Sequence, residues 1–128
     1  MKKVLTIAGS DCSGGAGIQA DLKTFSAHGV FGMSVIASVV AENTFRVIEF
    51  QDVRPDMIAK QIDAVFEDIP PDAVKVGMLS CAEGMLAVSE SLMKWKPCNV
   101  FIDPVMYATN GCALMDPAST DTLIARIV

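Results

Sequence analysis

Val4-Leu5-Thr6-Ile7-Ala8-Gly9-Ser10-Asp11-Cys12-Ser13-Gly14-Gly15-Ala16-Gly17-Ile18 is the stretch on which the fold turns. A five-residue apolar run stopped by Gly9-Ser10-Asp11 has the length and bounds of a buried parallel strand. The glycines that follow make a tight turn. Ile18, Leu22 and Phe25 then recur at helical spacing as far as His28-Gly29, where glycine supplies a left-handed residue past the helix end. Strand, glycine-rich turn and helix in that order open an α/β fold.

The same pattern continues outward. Val35 to Val40 and Val47 to Val53 are runs rich in β-branched residues, separated by Glu42-Asn43-Thr44, and predict two strands; their pairing as a hairpin is left open. Pro55 suits a first helical turn, and Met57, Ile58, Ile62, Val65 and Phe66 form an apolar stripe that Pro70-Pro71 ends. Ala73 to Val76 is the next strand. Ala82 to Trp95 follows as a helix with Leu86, Leu92 and Met93 toward the core, then Val100 to Ile102 as a short strand. After Asp103-Pro104 a polar loop leads to Asp116-Pro117, and a helix runs from Thr122 to Val128 with Asp116 as its N-cap. The order β-α-β-β-α-β-α-β-α predicts a mostly parallel sheet flanked by helices, in one domain, 1–128, with no repeat or linker. Ala125-Arg126-Ile127-Val128 is apolar and has no C-cap where such a fold would supply another strand, which hints at a truncated chain.

Composition narrows the function. The 128 residues are 52% apolar and carry a net charge of -5, so no basic footprint exists for nucleic acid or an anionic membrane surface. Lys2 to Ala8 is too short for a secretory signal, and residues 24 to 41, although free of Asp, Glu, Lys and Arg, contain His28, two glycines and three serines and do not suit a membrane span. Cys12, Cys81, Cys98 and Cys112 include no C-x-x-C pair and share the chain with one histidine, so they are read as reduced thiols in a cytoplasmic protein, and as small core residues rather than nucleophiles.

In open α/β sheets, ligands bind beyond the carboxyl ends of the strands, and three loops lie there. In Gly9 to Gly17 the glycines free the backbone to turn its amides toward an anion, with a plain strand-to-helix connection as the simpler reading. In Lys75-Val76-Gly77-Met78-Leu79 a glycine at a strand end permits close approach; Met78 is either a soft wall of a site or core packing. In Asp103-Pro104-Val105-Met106 the carboxylate suits magnesium or a phosphate donor, and helix capping serves equally well. His28 is read as a helix-end residue, and Trp95 between Lys94 and Lys96 as a half-buried ring at a solvated helix terminus.

Gly15-x-Gly17-x-x-Ala20 with Glu42 downstream fits a relaxed dinucleotide fingerprint and makes an NAD-binding oxidoreductase one alternative. Against it, Asp11 would stand as an unpaired carboxylate beside the pyrophosphate. A Walker A loop fails because Gly15 occupies the lysine position. A non-catalytic binding domain is a further alternative.

Ala8 to Lys23, Glu42-Asn43-Thr44, Val74 to Leu79 and Asp103 to Met106, followed by Gly111 and Asp116-Pro117, together resemble the hydroxymethylpyrimidine and phosphomethylpyrimidine kinases of thiamin biosynthesis. These belong to the ribokinase-like superfamily with the pyridoxine and pyridoxal kinases. The resemblance covers the whole chain. It implies a ribokinase-like open sheet and transfer of the γ-phosphate of ATP, with Mg²⁺, to the hydroxymethyl group of a small pyrimidine and then to its monophosphate; pyridoxine or pyridoxal is the alternative substrate. It also implies that Gly9 and Asp11 line the substrate pocket, that Met78 and Val105 flank a flat ring, and that Asp103 faces the phosphate and metal region. Such kinases are roughly twice this length, are usually homodimers, and keep their ATP-binding and catalytic residues in the later half. The resemblance therefore places no catalytic residue in this chain and implies that these 128 residues alone are silent. One departure stands out. The family usually carries Gln-Asn-Thr where this chain has Glu42-Asn43-Thr44, and a carboxylate has no amide donor. Glu42 is expected to accept from an exocyclic amine and pair with a protonated ring nitrogen, or to mark a pyridoxine-type ring.

Overall fold

The computed structural model describes residues 1–109 and 111–127. Lys3–Gly9 forms β1, whose alternation sets the layers: Leu5 and Ile7 enter the main core, while Thr6 faces the other side of the sheet. Then come α1 (Gly17–Ala27), β2 (Phe31–Glu42), β3 (Val47–Asp52), α2 (Pro55–Asp68), β4 (Ala73–Val76), α3 (Ala82–Trp95) and β5 (Val100–Ile102). A 3-10 turn at Pro117–Ser119 leads into α4 (Thr120–Arg126). The sheet runs β3-β2-β1-β4-β5, parallel except for β3. This is the expected open, mostly parallel α/β sheet flanked by helices.

The pairing left open by the sequence is a hairpin: β2 and β3 are antiparallel, with Val40 opposite Phe50 and Ala41 opposite Glu49. β2 begins at Phe31 rather than Val35, because Lys3 to Ala8 of β1 pairs with Phe31 to Ile36 and extends the strand backwards through Gly32. There Gly32 lets α1 pack closely, since a Cβ would lie 3.0 Å from Leu22 and 3.1 Å from Phe25 of α1. At the other end of α1, Gly29 takes φ 69° and the amides of Gly29 and Val30 return to the carbonyls of Ser26 and Phe25, a Schellman closure.

Helices α2, α3 and α4 cover the face carrying Leu5, Ile7, Val35, Val74 and Val76, and α1 covers the other. Ile58, Ile62 and Phe66 recur every four residues on the buried side of α2, which leaves Met57 exposed. In α3 the inward stripe is Met85, Val88, Leu92 and Trp95. Leu86 and Met93, expected inside with Leu92, lie about 100° off that stripe and are 36% and 57% exposed, whereas Ser89 and Ser91 are buried. Trp95 is half-buried as anticipated. Its ring stacks on Phe66 at 5.3 Å between centroids, and its Nε1 donates to Asp63 at 2.7 Å, where Lys94 also donates at 2.8 Å. Asp116 does cap, accepting from the Ala118 amide at 3.1 Å, but it caps the 3-10 turn, and α4 starts two residues before the expected Thr122. The expected helix end at Val128 lies outside the described residues. The cysteines are not core residues: Cys12, Cys98 and Cys112 are exposed and Cys81 is half-buried. Burial pushes the Cys81 thiol up, which keeps it protonated and poorly nucleophilic.

Candidate functional site

The loop after β1 is organised by its own acid. Asp11 is 4% exposed, and its two carboxylate oxygens accept from the Ser13 amide (2.7 Å), the Ser13 hydroxyl (2.7 Å), the Gly15 amide (2.9 Å) and the Ala16 amide (2.7 Å). Its backbone amide donates to Gln19 Oε1 of α1 at 2.8 Å, and its carbonyl accepts from Gly14 at 3.0 Å. Ala16, at the N-cap of α1, offers no side-chain acceptor, so Asp11 supplies one and places its charge at the positive helix end. Burial alone would raise the Asp11 pKa; the bonds from Ser13, Ala16 and Gly15 more than offset it and hold the carboxyl below its usual range. The expectation that these loop amides face a bound anion is thereby corrected: those of Ser13, Gly15 and Ala16 face Asp11. The same bonds count against a dinucleotide pyrophosphate here. Gly17 closes the turn with φ 57°, where a Cβ would lie 2.5 Å from the Gly9 carbonyl.

A cavity of about 550 Å³ opens beside this loop, at the carboxyl ends of β1, β2, β4 and β5. Gly9 and Asp11 come to it from β1 and its loop, Glu42 from the end of β2, Met78 from the loop after β4, and Asp103 and Val105 from the loop after β5. All six residues singled out in the sequence therefore line one space. Met78 packs directly on Gly9 in its wall, since a Cβ on Gly9 would lie 2.5 Å from Met78 Cε. Met78 is half-buried on the wall while Leu79 takes the core position, and Val105 faces the cavity while Met106 packs on the core. Asp103 is exposed, and no helix follows it, so the helix-capping alternative falls away. Among the described residues no group of three or more His, Cys, Asp and Glu is placed to hold a metal. Asp103 is a single carboxylate, and magnesium would need further oxygen ligands beside it.

Glu42 is fixed at the backbone by Cys12, whose thiol donates to the Glu42 carbonyl at 3.0 Å and accepts from its amide at 3.4 Å. Burial and the nearby Asp11 carboxylate push the Glu42 pKa up. Below the cavity, the Ser80 hydroxyl donates to Asp52 and lies 3.5 Å from the Ser38 hydroxyl, while the Ser10 amide donates to the Ser38 carbonyl at 2.9 Å. These bonds tie β2, β3 and the loops after β1 and β4 into one frame.

The sequence reading missed Asp21 and Lys75. They line the cavity and pair across the sheet face, with Lys75 Nζ 2.9 Å from Asp21 Oδ2, and Thr6 donates to the same oxygen at 2.6 Å. A signal was present: Lys75 lies between the buried Val74 and Val76, so it points away from the core into the space beneath α1, where a cation needs a partner. Tyr107, Thr109 and Leu114, from the segment read as a polar loop, also line the cavity; an isolated antiparallel bridge joins Tyr107 to Ala113.

Comparison with known proteins bears on this site. Residues 11–128 match the family described as phosphomethylpyrimidine kinase. The chain is 48% identical over 130 residues to the hydroxymethylpyrimidine/phosphomethylpyrimidine kinase of Escherichia coli K12, covering 100% of this chain and 49% of that protein. A crystal structure of phosphomethylpyrimidine kinase from Clostridium difficile 630 superposes with a TM-score of 0.93 at 52% identity, over 99% of this chain and 55% of that one. The pyridoxal kinase of Staphylococcus aureus in complex with pyridoxal gives 0.84 at 35% identity, over 99% and 45%. The architecture is thus ribokinase-like, as the resemblance implied, and the chain spans about half the length of these relatives. A cavity built from four strand ends, in a sequence nearly half identical to such kinases, has one family to answer to: this chain belongs to the phosphomethylpyrimidine kinases.

Proposed function

We propose that this chain forms the ring-binding half of a kinase that transfers phosphate from ATP, with Mg²⁺, to the hydroxymethyl group of 4-amino-5-hydroxymethyl-2-methylpyrimidine and then to its monophosphate. The observation that carries this reading is the convergence of Gly9, Asp11, Glu42, Met78, Asp103 and Val105, from separate segments, on one cavity in a member of this family. Gly9 leaves room for the Met78 side chain against the backbone, and Met78 and Val105 give a flat ring its apolar faces. Glu42 reads its polar edge. Asp11 acts one step back, holding the loop that shapes the wall. Asp103, an exposed residue of the cavity lining, faces the phosphate and metal. Phosphoryl transfer depends mostly on positioning and charge neutralisation, and a rigid pocket that fixes the hydroxymethyl group meets the first need.

The protein is proposed to act in the cytoplasm on small molecules, without nucleic-acid or membrane partners, and as a homodimer. Among the described residues no helix is long and apolar enough to cross a membrane. Pyridoxal is the second candidate ring, supported by the likeness to pyridoxal kinases at 35% identity. The deciding test is turnover by the protein that carries this chain, with ATP and Mg²⁺, of the aminopyrimidine against pyridoxal, read by ³¹P NMR of the products. Phosphorylation of the aminopyrimidine is expected to dominate; a preference for pyridoxal, or turnover of neither ring, would overturn the reading.

A further inference from the structure

The cavity has an imbalance of charge that its proposed use must resolve. Among the described residues four carboxylates line it, Asp11, Asp21, Glu42 and Asp103, against one lysine, Lys75. Lys75 is paired with Asp21 at 2.9 Å, and Asp11 is held by four donors of its own loop. Glu42 differs from both. It is half-buried, its backbone is held against the loop by Cys12, and the charged group that acts on it is the like-charged Asp11. The other groups around it offer no compensation. Lys75 and Asp21 belong to each other, Asp103 and Tyr107 line the cavity from the β5 loop, and Arg46, in the turn between β2 and β3, is exposed, with no ion pair to Glu42 among the described residues.

A ring with an amine beside a ring nitrogen presents different edges in its two protonation states. Neutral, it offers one donor and one acceptor; protonated at that nitrogen, it offers two parallel donors. A carboxylate offers two acceptors and so matches the cation as a bidentate pair, whereas a neutral carboxylic acid, with one donor and one acceptor, matches the neutral ring. A carboxylate facing a neutral ring sets two acceptors against each other. Each matched arrangement contains one proton between Glu42 and the ring, and the mismatched one lacks it.

Resting on the reading that this cavity holds an aminopyrimidine, we propose that Glu42 makes ring binding proton-linked: the complex carries one proton shared between the Glu42 carboxyl group and the ring nitrogen beside the amine. The raised proton affinity of Glu42 beside Asp11, which itself stays ionised, agrees with that proton residing here. A ring without the amine forfeits one of the two bonds, so the same residue disfavours a pyridine of the pyridoxal type.

The test is calorimetric titration of the protein with 4-amino-5-hydroxymethyl-2-methylpyrimidine from pH 5.5 to 9, in pairs of buffers of different ionisation enthalpy. Above the range where the free partners hold the proton, Kd is expected to weaken by about tenfold per pH unit, with uptake approaching one proton per ring bound. Glu42→Gln, whose amide matches the neutral ring, is expected to bind with little pH dependence above neutral pH and without proton uptake. A pH-independent Kd in the native protein, or a slope that survives in Glu42→Gln, overturns the proposal while leaving the cavity as the ring site. Absence of binding at every pH in both proteins overturns the proposal together with the functional reading beneath it.

Discussion

Replacing Asp11 by Asn changes one atom in the loop and isolates what its charge does. Oδ1 can still accept from the Ser13 amide and hydroxyl, but the group in place of Oδ2 becomes an NH₂ facing the Gly15 and Ala16 amides, now 2.9 and 2.7 Å from an acceptor. Losing a hydrogen bond to a charged acceptor costs about 1.5 kcal/mol at the low end, and losing a negative charge at the start of α1 costs roughly 0.5 kcal/mol more. Over the two lost bonds and the charge the sum is about 3.5 kcal/mol, or a fall in Tm on the order of 10 °C for a chain of this size. The pH dependence has a definite sign. The folded-state pKa of Asp11 is lowered, so its contribution is fully present above the unfolded carboxyl value of about 3.9 and is lost as pH falls through the native value. Urea titrations of the native protein and Asp11→Asn at pH 7 should therefore differ by about 3.5 kcal/mol, and the gap should close toward acid. A difference below about 1 kcal/mol at pH 7, or one that stays constant into acid, would refute the assignment of Asp11 as the loop's anchor. Unchanged stability with weakened ring binding would instead make it a direct ligand contact.

Two other substitutions probe the same frame. Gly17→Ala should destabilise the protein by roughly 2 kcal/mol or more in the same denaturation assay, because a left-handed φ of 57° and a Cβ 2.5 Å from the Gly9 carbonyl leave no relaxed position for the methyl group. Lys75→Met should cost about 1–3 kcal/mol by leaving the half-buried Asp21 carboxylate with Thr6 as its remaining partner, and a double-mutant cycle with Asp21→Asn should show clear coupling rather than additivity.

The element order was legible because buried parallel strands carry uninterrupted apolar runs and because Gly, Pro and Asp punctuate this chain at nearly every boundary. What escaped were features set by neighbours. The start of β2 at Phe31 depends on register with β1 and not on the composition of Phe31 to Ser34. The face of α3 was misread because apolar residues at 85, 86, 88, 92 and 93 allow two overlapping stripes, and only the docking of Trp95 on Phe66 selects Met85 and Val88 over Leu86 and Met93. Exposure of three cysteines was likewise invisible, since small apolar residues suit either side of a surface.

At the site, residue types located the cavity but left the direction of its loop open. Glycines near an acid are compatible with a loop that cradles an external anion and with one that has captured its own, because both need free amides at a helix N-terminus. The decisive quantity is competition. Asp11 is two to five residues from the amides it binds, so its carboxylate meets them intramolecularly at an effective concentration far above that of any free ligand. A phosphate would have to displace it and leave a buried carboxylate without donors, which costs several kcal/mol. An acid inside a glycine-rich turn is thus itself the sign that the turn is filled. In this chain it turns the loop from a phosphate clamp into a rigid wall beside Glu42, whose proton affinity burial and the Asp11 carboxylate raise.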